Sequence, residues 1–226
     1  MDHSEPQGWR EPRPAREPLL TAPWTILVIS VGLVVLYLLQ SLFLTNAEVE
    51  RLALSATGLR AGHWPGLLTS LFLHGGWAHV LMNSVAALAF GPPTARLLGG
   101  DARGAGAFFL LYLTCGVLAG LGFVAANLND ASAVVGASGA VSGLLGAASR
   151  LIQGHGRIGP MFGRTVLGMA AAWAIVNVIL GVSGLTPGAS GMPVAWQAHL
   201  AGYAAGVVLI GPFARLAGRG DDAFTQ

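Results

Sequence analysis

The sequence predicts an all-α membrane protein of six transmembrane helices, with short interfacial helices in its first loop. Three observations predict this. Of 226 residues, 54% are hydrophobic and 10% are charged, whereas a soluble domain carries about 25% charged residues. Six apolar stretches follow one another, each close to the length that crosses a ~30 Å hydrocarbon layer. All twelve basic residues are arginines, and they segregate by loop.

Residues 1–23 are rich in Pro, Arg and Glu and hold little that could form a core. They read as a disordered cytoplasmic tail, and the late, long apolar run after them is unlike a signal peptide. The stretches that follow are Trp24–Leu44, Trp77–Leu98, Ala105–Ala126, Ala133–Leu151, Thr165–Val182 and Val194–Leu216. The last is expected to stop near Gly211, because Pro212 cannot continue a regular helix. The membrane domain then covers 24–216, and 217–226 is a short cytoplasmic tail. The loop from Thr45 to Gly76 is too apolar for a plain linker. Its Leu52, Leu54, Leu59, Trp64, Leu67, Leu68, Leu71 and Phe72 predict the short helices in the outer interface. The loop Ser183–Pro193 is rich in Gly, Ser and Pro and reads as flexible and exposed.

Arg10, Arg13, Arg16, Arg96, Arg103, Arg150, Arg157, Arg164, Arg215 and Arg219 fall on one side of this layout, and only Arg51 and Arg60 on the other. The positive-inside rule makes the richer side cytoplasmic. Both termini are therefore expected inside, which requires an even number of spans. The composition fits a bacterial inner membrane.

Several function classes drop out. A net charge of +2 is too small and too spread out for nucleic-acid binding. The single cysteine, Cys115, can make no intramolecular disulfide or thiolate metal site. No histidine cluster implies a metal, and no organic cofactor is implied. A transporter would place charged groups along a midplane path or show two similar halves; spans two to six hold no acidic residue and no repeat is visible. His3, His63 and His155 lie in the tail and loops and read as solvated.

Polar side chains inside a membrane are costly, and four stand out: His79 and Asn83 in span two, Ser138 in span four and His199 in span six. Ser138 lies twelve residues before Arg150 and Asn83 thirteen before Arg96, about 18 and 20 Å above the inner end at the helical rise. His199 lies at a similar height above the end of span six. His79 sits one turn above Asn83 on the same face. A serine hydroxyl is a weak nucleophile until a base takes its proton, and His199 is the histidine in another span that can do so. With no carboxylate in the spans, the expected arrangement is a Ser–His dyad. His79, Asn83 and the Ser138 backbone N–H could supply the oxyanion donors that amide attack requires. Gly136-Ala137 would admit a close substrate and start the helix at Ser138. Gly139, Gly143 and Ala147 also form a small-residue packing face. A second Gly-Ala-Ser-Gly at 188–191 lies in the flexible loop with no apolar helix after it, and is discounted.

These residues resemble the rhomboid intramembrane proteases. Leu67 through Asn83 resembles that family's passage from first loop to second helix, with His79 and Asn83 four residues apart. Gly136-Ala137-Ser138-Gly139-Ala140-Val141 resembles the nucleophile motif at the head of the fourth helix. Ala198-His199-Leu200-Ala201-Gly202 resembles the sixth-helix motif, with Gly206 continuing its packing face. The resemblance implies a six-helix rhomboid-like bundle in which Ser138 is the nucleophile and His199 the general base and acid. His79 and Asn83 would help hold the oxyanion, with Gly136, Gly139, Gly202, Gly206 and His74 supporting the site. It implies hydrolysis of peptide bonds in or near transmembrane segments of other membrane proteins, at places where the helix is easily unwound. Two positions depart from the family pattern. Trp64-Pro65-Gly66 stands where a Trp-Arg pair is common, and Ser142 stands where an aromatic often packs on the histidine. The alternative reading is a catalytically silent scaffold that binds transmembrane clients.

Overall fold

The computed structural model describes residues 22–183, 195–220 and 223–224. The N-terminal tail, the second Gly-Ala-Ser-Gly and the residues around it lie outside these. The described chain is mostly helical. Its long helices are α1 (Trp24–Phe43), α5 (Trp77–Leu98), α6 (Ala102–Ala126), α7 (Ser138–Gln153), α8 (Arg164–Ser183) and α9 (Trp196–Leu216). The first loop folds into α2 (Asn46–Leu52), α3 (Ala56–Arg60), α4 (Gly66–Thr69) and a 3₁₀ turn at Ser70–Phe72. Four helices are long and apolar enough to cross a membrane: α1, α6, residues 164–181 of α8, and α9. The other two are less apolar for visible reasons. His79, Asn83, Ser84, Thr94 and the pair Pro92-Pro93 dilute α5, and α7 has 16 residues rich in Gly, Ala and Ser.

Two boundaries differ from expectation. The fourth stretch is not helical from Ala133. Ala133–Val134 forms a strand, β2, paired antiparallel with β1 (Leu54–Ser55), and Gly136 takes φ +127° before the helix begins. At the other end, α9 runs through Pro212 to Leu216. A proline this close to a helix end removes one backbone N–H without room for a kink to propagate.

Helix α7 is the axis of the molecule. Every residue from Gly139 to Leu151 is buried. Its neighbours approach so closely because of glycine. A methyl group built on Gly202 would lie 2.1 Å from the Gly139 carbonyl oxygen. One on Gly206 would lie 1.8 Å from that of Gly143, and one on Gly146 would lie 2.0 Å from that of Tyr203. Helices α7 and α9 therefore touch backbone to backbone, the contact that small residues permit in lipid. Cys115 of α6 fills the space beside Gly143.

The helix ends farthest from Ser138 are tied by arginines. Buried Arg150 donates through Nε to the Gly159 carbonyl (2.7 Å) and through Nη1 to that of Val207 (3.0 Å). Arg219 donates to the Leu98 carbonyl (2.8 Å) and pairs with Asp101 (2.9 Å). Arg103 donates to the Leu216 carbonyl (2.6 Å). The residues after α9 also pack back: Ala223 is buried, and its carbonyl accepts from the Ile158 N–H (2.6 Å). Helix α1 is joined to α5 by a reciprocal pair, Ser30 Oγ to the Ser84 carbonyl (3.2 Å) and Ser84 Oγ to the Ser30 carbonyl (3.0 Å).

The glycine contacts give a direct test. Gly206→Val is expected to destabilise the detergent-solubilised protein by about 3 kcal/mol, the upper range for overpacking a core. Gly168→Ala, where a methyl meets nothing within 4 Å, is expected to leave thermal stability within about 0.5 kcal/mol, as for other surface changes. Thermal denaturation of the two variants checks the difference.

Candidate active site

The backbone places Ser138 with little freedom. The Gly136 N–H donates to the Ser70 carbonyl (2.8 Å), pinning the approach to α7 against the 3₁₀ turn. The left-handed φ of Gly136 then turns the chain, and Ala137 precedes the first helical residue, Ser138. At that position the Ser138 N–H has no carbonyl one turn back to bond to. One turn on, the Ser142 Oγ donates to the Ser138 carbonyl (2.8 Å).

The Ser138 Oγ lies 2.7 Å from Nε2 of His199, near the start of α9. The α7–α9 glycine contacts produce this meeting: Gly139 faces the Gly202 turn, and Ser138 and His199 are one and three residues before them. The other imidazole nitrogen, Nδ1, meets Oδ1 of Asn177 on α8. The Trp173 ring stands next to the imidazole, with centroids 6.1 Å apart and planes tilted by 35°. Neither α8 residue is among the sequence candidates. Trp173 fills from α8 the place beside the histidine that Ser142 leaves without an aromatic. Asn177 did carry a signal: it is a polar side chain in an apolar span, and it is 2% exposed.

His79 and Asn83 project from α5 into the cavity that Ser138 and His199 also line. The Gly75 N–H donates to Nδ1 of His79 (3.3 Å), so the neutral ring carries its hydrogen on Nε2. That edge faces Gly136: a methyl there would lie 2.8 Å from both Cε1 and Nε2. Asn83 Nδ2 donates to the His79 carbonyl (3.2 Å), leaving its second hydrogen free for another acceptor. His74 does not line the cavity. It is buried behind His79, edge-on to it (centroids 5.1 Å) and to Tyr37 (6.5 Å), and its backbone is bracketed by Gln40: the amide accepts from the His74 N–H at 2.9 Å and donates to its carbonyl at 2.7 Å. Gly139, Gly202 and Gly206 lie in the α7–α9 contact and support the site from below.

The cavity measures about 710 Å³. Met82, Asn83 and Ala86 of α5 form one wall, and Trp173, Val176, Asn177 and Leu180 of α8 another. Phe123, Asn127, Asp130 and Gln197 lie at its polar end. There the backbone N–H and hydroxyl of Ser132 both donate to Asp130, which holds its carboxyl below the usual range. Among the described residues, no group of three or more His, Cys, Asp or Glu is placed to hold a metal ion. The arrangement offers a hydroxyl against an imidazole base, with donors grouped beside them, inside an apolar cavity. That is the equipment of nucleophilic acyl transfer.

Comparison with known proteins places the chain in a family. Residues 61–215, more than half of the chain, match the family model described as the Rhomboid domain. A stretch of 65 residues is 37% identical to a Bacillus subtilis (strain 168) protein named "Putative rhomboid protease YdcA". It makes up 29% of this chain and spans 30% of that relative's length.

Gly136→Ala tests the crowding beside the Ser138 hydroxyl. The added methyl meets the His79 ring in a backbone conformation that L-residues resist. Displacing a catalytic constellation by about 1 Å costs on the order of 100-fold in rate. That loss in Ser138-dependent turnover, with the protein still folded, is the expected outcome of steady-state assays.

Proposed function

The chain belongs to the rhomboid family, and from that premise we propose that it is an intramembrane serine endopeptidase with six spans, resident in the inner membrane with both termini cytoplasmic. Its substrates are other membrane proteins whose transmembrane segments unwind easily. The observation that carries the reading is the 2.7 Å contact between Ser138 Oγ and His199 Nε2 at the wall of a cavity between long helices.

The chemistry runs as follows. A substrate segment enters between α5 and α8 and presents an unwound carbonyl to Ser138. Backbone amides in an intact helix are bonded and shielded, so local unwinding must come first. His199 Nε2 takes the Ser138 proton as Oγ attacks the carbonyl carbon. Negative charge develops on the carbonyl oxygen, where the Ser138 N–H, the His79 Nε2–H and the free hydrogen of Asn83 Nδ2 receive it. Such donors act strongly because they are fixed in advance in a site of low dielectric. His199 then returns the proton to the leaving amine, the peptide bond breaks, and an acyl-enzyme remains on Ser138. Water, deprotonated by His199, releases the second fragment and restores the serine.

Labelling with a fluorophosphonate probe tests the reading in detergent and in liposomes. Wild type and Ser190→Ala are expected to label, and Ser138→Ala and His199→Ala to show no labelling. Folded wild-type protein that fails to label in both settings would favour the client-binding scaffold.

A further inference from the structure

We propose that Asn177 is a positioning residue that fixes the tautomer and orientation of His199, so that the base is held by a Ser138–His199–Asn177 chain rather than by the Ser–His pair alone. The inference rests on the protease reading above and adds a residue to it.

Asn177 Nδ2 donates to the Trp173 carbonyl one turn back on α8 (2.8 Å). Rotating the amide by half a turn would set two carbonyl oxygens against each other, so this bond decides which end faces the histidine. The end that faces His199 Nδ1 is Oδ1. An amide oxygen only accepts, so Nδ1 must carry the hydrogen. In the neutral ring Nε2 is then the bare nitrogen, and it is the one 2.7 Å from Ser138 Oγ. The opposite tautomer would place a lone pair against Oδ1 and an N–H against the serine, and could not take the serine's proton. Trp173 stands next to the ring as a third neighbour, with its plane tilted by 35°. Its carbonyl orients the amide and its indole limits tilt of the imidazole, so two residues four apart on one helix act together.

The same bond serves the charged state. When His199 has taken the proton, both ring nitrogens carry hydrogen, and Oδ1 already receives one of them. No reorientation is needed during attack. An amide supplies a dipole where a carboxylate would supply a full charge, which avoids burying an anion among apolar helices.

The test uses the full-length protein in liposomes, with Asn177→Leu, Asn177→Ala and Asn177→Asp beside wild type and Ser138→Ala. Leucine is close in size and cannot accept a hydrogen bond. It is expected to lower kcat about 100-fold while KM and the melting temperature stay near wild type. Alanine gives the same reading should leucine not fold. Aspartate restores the acceptor toward Nδ1 but sets its second oxygen against the Trp173 carbonyl, so it is expected to regain about tenfold of the kcat lost in Asn177→Leu. Nitrogen-15 spectra of histidine-labelled protein, with His199 assigned by its loss in His199→Ala, read the tautomer directly: Nδ1–H in wild type, and loss of that preference in Asn177→Leu. A merely structural residue would move KM and the melting temperature together with kcat, and aspartate would not rescue it. An unchanged kcat in Asn177→Leu, or an unchanged tautomer, would overturn the proposal. Should wild type show no Ser138-dependent turnover, the protease reading fails, while the spectra still decide what Asn177 does to His199.

Discussion

The backbone contact between α7 and α9 is the constraint on which the site depends. Lipid offers no hydrophobic drive to press two helices together, since its tails are as apolar as leucine; close packing and polar contacts must do it. Glycines 139, 143 and 146 on α7, opposite Gly202, Tyr203 and Gly206 on α9, bring the two main chains into contact. That contact sets the axial register of the two helices, and Ser138 and His199 are each within one turn of its outer end. A larger residue at any of these points would push α9 outward and carry the imidazole away from the hydroxyl. The pairing of hydroxyl and imidazole is therefore a property of packing as much as of the two side chains. The hydrogen bond between them is too weak alone to hold two helices in place.

Much of this was legible in the sequence because membranes make polar residues rare. His79, Asn83, Ser138 and His199 stood out against apolar surroundings, and a depth estimate from helical rise placed them at one level before any coordinates. The arginine distribution gave a sidedness, and the structure gives several of the same arginines a second use as donors to helix-end carbonyls. Other features were not legible. The short pairing of Leu54–Ser55 with Ala133–Val134 joins segments about eighty residues apart, and two-residue strands carry no periodicity to read. The passage of α9 through Pro212 depended on how near the helix end lay, which proline alone does not reveal.

Asn177 shows a different limit. A polar residue in an apolar helix announces that it has a partner but not which one. Helix α8 is apolar on nearly every side, so no stripe in its sequence indicates the face turned inward. The rotation of α8 is decided by tertiary packing at its inner half, where Val166 and Tyr203 are buried together and the Tyr203 hydroxyl donates to the Val166 carbonyl (2.8 Å). Only once that rotation is known do Trp173 and Asn177 fall beside His199. The absent aromatic at Ser142 and the tryptophan on α8 are two sides of one fact: the surface against the imidazole is supplied by a different helix.

The burial of α7 from Gly139 to Leu151 has a consequence for how the protein is made. A helix so enclosed by protein presents little surface to lipid, and its serines, glycines and buried Arg150 make it a weak signal for entry into the bilayer. Its stability in the membrane comes from α5, α6, α8 and α9, two of which are synthesised after it. Ser138 thus sits on a segment poorly able to insert by itself. Its meeting with His199 waits for the completion of α9, so a chain interrupted before its last helix holds Ser138 without the imidazole that the finished fold sets against it.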